Sequence, residues 1–121
     1  MVSVTNADTY FQEEVFDNAD WLNATEEDKR RALKNAENQL YRFYPRFKPD
    51  IKPIPEKAIY EQAIFLLRID ETVRNASQLG VRQVSLSGLS ISVDAPKYPI
   101  SPEVKLIVSQ AGGGRVGRYK L

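Results

Sequence analysis

Glu13, Glu14 and Asp17 lie close enough in the chain to gather three carboxylates around a cation. Such clusters beside a helix more often serve solvation and the helix dipole. A second set is Ser85, Ser87, Ser90 and Ser92. Hydroxyls become nucleophiles only when a base activates them, and the chain has no histidine. Cysteine is absent too, which excludes disulfides, thiolate metal sites and cysteine nucleophiles. Without histidine the commonest general acid–base group and metal ligand is missing. The expectation is a protein that is not an enzyme and carries no metal or cofactor. GGGRVG, starting at residue 112, has the glycines of a phosphate loop. It lacks the Gly-Lys-Ser/Thr ending and a following helix to supply a positive dipole.

Nucleic-acid binding is the remaining chemistry. Arg115 and Arg118 could contact phosphates while Tyr119 stacks on a base, with help from the basic second helix and its Lys29, Arg30, Arg31, Lys34 and Arg42. A net charge of +1 and the lack of a recognised basic–aromatic spacing weigh against it. A small single-stranded-nucleic-acid-binding module stays open as an alternative.

At 121 residues, with 42% apolar and 27% charged side chains, the chain fits one globular domain. No apolar run reaches the roughly 18 residues of a membrane span, so no membrane partner is expected. The start MVSVTNADTYF lacks the pattern of a signal peptide, so synthesis in the cytoplasm is expected. Charge is unevenly spread: residues 1–30 carry eight acids and two bases, residues 31–60 three acids and seven bases. Head-to-tail assembly would use this polarity, setting an acidic face of one copy against a basic face of the next.

The elements follow from period and punctuation. Thr5 with Asp8 resembles a capping box, opening a first helix with Ala7, Tyr10, Phe11 and Val15 inward. Trp21 and Leu22 fall in a connection and plug one end of the core. Thr25 with Asp28 opens a second helix, with Leu33, Ala36, Leu40 and Phe43 inward, that Pro45 ends. The proline-bearing segment 45–55 reads as an extended, stiff loop wrapping the core, with Phe47, Ile51 and Ile54 alternating along it.

Residues 54–78 form the helix around which the chain is organised. Pro55 sits at its start. Ala58, Ile59, Gln62, Ala63, Leu66, Ile69, Asp70 and Val73 fall at the steps of its inner stripe, widened by Phe65 and Leu67, and Gly80 stops it. Arg68, Asp70, Glu71 and Arg74 read as a solvated charged face. Beyond Gly80 the period falls to two, and Ser87-Gly88 fits a hairpin turn. Pairing Leu86 with Leu89 and Val84 with Ile91 then puts every apolar residue, Val93 included, on one face. Ser101-Pro102-Glu103 opens a short helix, and the basic stretch after the glycines reads as a flexible arm.

The expected fold is mainly α: a small bundle of three main helices and a short C-terminal helix, with one β-hairpin and a flexible arm. Its divisions are a helical core (1–80), the hairpin (81–93), a linker and short helix (94–111) and the basic arm (112–121).

The order TNADTYF, ATEEDKRRALKNAENQLYRF, IPEKAIYEQAIFLL, GLSISV and ISPEV resembles the head–tail connector (adaptor) proteins of tailed bacteriophages. The resemblance spans most of the chain and rests on helix patterns. It implies a virion structural protein at the head–tail interface. Such a protein forms a homo-oligomeric ring, of twelve copies in the family, that docks on the portal protein at the capsid vertex. The ring would link the portal to a stopper or tail-completion protein around DNA passing without sequence specificity, and isolated copies can be monomers. It implies partner-binding roles, toward portal or neighbouring subunit, for Val84, Leu86, Leu89, Ile91 and Val93 of the hairpin. The arm residues Arg115, Val116, Arg118, Tyr119, Lys120 and Leu121 are the other partner-binding candidates. Candidates for contacts between subunits are Glu13, Glu14, Asp17, Arg30, Lys34, Arg68 and Arg74.

Overall fold

A computed structural model describes residues 2–86, 89–92 and 98–112. In chain order these form α1 (Val4–Glu14), α2 (Ala19–Leu22), α3 (Glu26–Phe43), α4 (Glu56–Gln78), β1 (Gln83–Leu86), β2 (Leu89–Ser92) and α5 (Pro102–Gly112). The fold is mainly helical with one antiparallel hairpin. Its register is Val84 opposite Ile91 and Leu86 opposite Leu89, as the alternation requires. Ser87, Gly88 and Val93 lie outside the described residues, as does the arm 112–121 apart from Gly112, which ends α5.

Helix α4 is the centre. It packs against the other four helices and against β1. Tyr60 and Ile64, off the inner stripe read from the spacing, are buried on it beside Ala58, Ile59, Ala63, Phe65 and Ile69. A helix enclosed on several sides needs apolar residues around much of its circumference, which blurs a one-face pattern. It ends in a Schellman arrangement. Gly80, at φ +76°, donates to the Ser77 carbonyl (3.2 Å), and the Val81 N–H donates to the Ala76 carbonyl (2.9 Å).

Gln62 is fully buried in the middle of α4, and its amide is fully used. Nε2 donates to Gln39 Oε1 on α3 (2.8 Å) and to the Pro99 carbonyl (3.1 Å), while Oε1 accepts from the Ser101 N–H (2.9 Å). Gln39 also donates to the Tyr98 carbonyl. The pair of glutamines fastens the segment leading into α5, whose Val104 and Val108 then complete the core.

Four local expectations are corrected. The cap of α1 is Ser3, whose Oγ accepts from the Asn6 N–H (3.1 Å), so Thr5 lies inside the helix. Asp8 is free of capping and instead accepts from Trp21 Nε1 (2.8 Å) and Lys29 Nζ (3.0 Å). Trp21 belongs to the short helix α2 and is fully buried against Phe11, but Leu22 and Phe43 are exposed. Segment 45–55 is no simple extended connector. Lys48 and Lys52 exchange two backbone hydrogen bonds of 2.9 Å, closing a tight turn that leaves Ile51 outside while Phe47 and Ile54 are buried. Proline rules limit helix but leave a turn open.

The Gln62 tie predicts a measurable asymmetry. Gln62→Ala leaves a buried N–H and carbonyl without partners and is expected to cost about 2–3 kcal/mol in urea unfolding. Gln39→Ala, at a half-buried site, should cost less than half of that.

Candidate interaction surfaces

The hairpin stands on the C-terminal half of α4. Ile91 is buried with Phe65 and Ile69, and half-buried Val84, Leu86, Leu89 and Val73 close the cluster. Four of the hairpin residues singled out for a partner therefore seal it to its own helix. What remains outward is polar: Gln83, Ser85 and Ser90 are exposed, with Ser90 Oγ donating to Gln83 Oε1 (2.7 Å). The sheet has two strands, so among the described residues neither outer edge has a strand beside it. Just below it, Leu79 and Val81 are exposed.

A second surface is a cleft of about 550 Å³ between the α1–α2 connection, α4 and the start of α5. Phe16 lies fully exposed on its rim. Four carboxylates line it, Glu14, Asp17, Glu61 and Glu103, against one cation, Arg68. Tyr10 Oη donates to Glu61 Oε2 (2.6 Å). Burial, and then this bond to an anion, hold the Tyr10 phenol above its ordinary range. Tyr60 beside it is pushed up to about 12, first by burial and then by Glu56.

Arg68 departs from the solvated face read for it. Its side chain is 25% exposed, and it reaches back across the connection. Nε donates to Asp20 Oδ2 (3.1 Å) and Nη2 to the Asp17 carbonyl (2.7 Å), with the Asp17 carboxylate at 3.6 Å. This clasp fixes the loop that carries Phe16. Arg74 pairs with Asp70 one turn below (2.8 Å), and Glu14 pairs with Lys57 (3.4 Å). Glu13, Arg30 and Lys34 are exposed. Of the seven subunit-contact candidates, then, four already have partners within the chain and three face solvent.

A third surface lies at the other end of α3. Arg42, Phe43, Arg46, Lys48, Ile51 and Lys52 are exposed there. Among the described residues neither Arg46 nor Lys48 has an acidic partner, while Lys52 Nζ sits 5.1 Å from the Phe47 ring centre. In the sequence Ile51 alternates with Phe47 and Ile54 as a packed residue does, and nothing local marks this turn. Only the backbone pairing of Lys48 with Lys52 turns Ile51 outward.

Among the described residues no group of three or more Asp and Glu side chains is placed to hold a metal, and no helix is long and apolar enough to cross a membrane. Comparisons with protein-family models, curated proteins and solved structures find no match.

The tyrosines set an alkaline limit. Unfolded tyrosines ionise near pH ~10, whereas Tyr60 stays protonated to about 12 and Tyr10 is also raised. Between these values the folded state binds more protons, so stability falls as pH rises above about 10. Chemical unfolding from pH 9 to 12 should show this decline, and Tyr10→Phe/Tyr60→Phe should flatten it.

Proposed function

We propose that this chain is a structural connector of a tailed-virus particle, an adaptor that sits as a ring on the portal and joins it to the next component. The observation that supports this most is how the hairpin is mounted. Its apolar side is closed by Phe65 and Ile69 of α4, which makes it a fixed platform, while among the described residues neither strand edge has a strand paired to it. Open edges are templates for β-augmentation by another chain. The order of the sequence motifs supports the same reading. The two charged poles, one around Glu14 and Asp17 and the other around Arg46 and Lys48, suit repeated contacts between copies.

Assembly in this reading is sequential. The arm 113–121, with Arg115, Arg118 and Lys120, docks on the portal once the ring has formed, and the hairpin receives the stopper. DNA passes through the ring without sequence-specific contact. The particle vertex is the site of action.

A second reading has its own observation. Arg42, Arg46 and Lys48 beside exposed Phe43 form a basic–aromatic surface that suits a single-stranded nucleic acid. A salt-dependent mobility shift with an oligonucleotide, lost in Arg46→Ala/Lys48→Ala, would favour it.

The connector reading is tested by removing residues 113–121. The shortened protein is expected to keep its circular dichroism and unfolding midpoint and to lose docking on its cognate portal ring, read by co-sedimentation. Docking at undiminished affinity would contradict the assigned role of the arm.

A further inference from the structure

The two surfaces are opposite in charge, and each carries an exposed apolar residue, Phe16 beside carboxylates and Ile51 beside lysines. We propose that the 48–52 turn of one molecule seats in the Phe16 cleft of a second copy. This deepens the assembly reading above and rests on it, because it names the faces that meet between neighbours.

The turn is built as a knob. Ile51 is 85% exposed at its tip, flanked by Lys48 and Lys52. The two backbone hydrogen bonds between those lysines hold its shape. Phe47 and Ile54, each 2% exposed, anchor its two ends, and the Ile54 N–H donates to Tyr41 Oη (3.0 Å). A knob already ordered loses little conformational freedom on binding.

The cleft is built as its receptor. Phe16 on the rim and half-buried Val15 in the lining offer apolar surface for Ile51. Among the described residues Glu103 has no ion pair and Glu61 is bonded only to a neutral phenol, so both offer carboxylates to the lysines. The Arg68 clasp holds the Phe16 loop in place beforehand. A polyanion would suit the knob but would be repelled by the cleft. A second copy carries both surfaces, so one repeated contact satisfies the knob of one molecule and the cleft of the next. Knob and cleft share no residue, so the contact is heterologous and repeats from copy to copy, closing into a ring if the rotation allows.

The absence of cysteine from the chain makes the contact directly measurable. Phe16→Cys and Ile51→Cys each place one thiol at an exposed position where folding is undisturbed. Mixed at high concentration and oxidised, the two variants are expected to give a 16–51 disulfide well above its statistical share over 16–16 and 51–51 bonds, mapped by mass spectrometry. High salt, or Lys48→Glu/Lys52→Glu added to the Ile51→Cys chain, should reduce it several-fold. A statistical mixture, a yield insensitive to salt and charge, or no cross-link at any concentration overturns the proposal. So does protection of the residue-51 thiol by an oligonucleotide with no 16–51 bond. Rings that form without the 16–51 bond overturn this contact but leave the connector reading standing, and portal docking measured separately decides that reading.

Discussion

A polar side chain in the middle of the core holds the rest in place. Gln62 lies where α3, α4 and the approach to α5 converge, and its amide meets three partners there. An amide in an apolar interior is costly unless every group is paired. That requirement lets α5 join at one position only, because the Pro99 carbonyl and Ser101 N–H must both reach the same side chain. The other buried polar device works likewise: Asp8 collects Trp21 Nε1 and Lys29 Nζ and so locks α1, α2 and the start of α3 together. Apolar burial supplies the stability, and these two polar ties select the arrangement.

With the core so fixed, the outward features are held rather than loose. The Phe16 loop is clasped by Arg68, the 48–52 turn closes on itself, and the hairpin rests its apolar face on α4. Each presents an apolar or hydrogen-bonding group to solvent from a rigid base. Rigid, complementary surfaces favour association because ordering costs are met during folding. This is the physical basis for reading the protein as a joining piece.

Much of this was legible in the sequence where a period or a cap is strong. The Thr25 cap, the Gly80 stop and the Leu86–Leu89 register follow from local chemistry and reappear in the structure. What the sequence hid depends on contacts between distant residues. Lys29 reads as one more cation on a basic helix, yet Asp8, 21 residues away, draws it inside. Gln62 reads as one more residue on an inner stripe, and nothing local marks it as a tie to residues 99 and 101. Arg68 reads as solvated because its partners lie 48 and 51 positions earlier. Ile51 alternates with Phe47 and Ile54 as a packed residue would, but the backbone turn reverses it. The interaction surfaces were therefore less readable than the fold, since they consist of such reversals.

The central claim is that the chain works by assembling, and the most direct measurement is its mass across concentration and salt, with imaging of any particles formed. The account predicts masses that rise with concentration in whole multiples of the protomer, shrink as salt screens the two poles, and correspond to closed rings. A single protomer mass at every concentration that persists when the cognate portal ring is added, shifted only by a bound oligonucleotide in low salt, would contradict it.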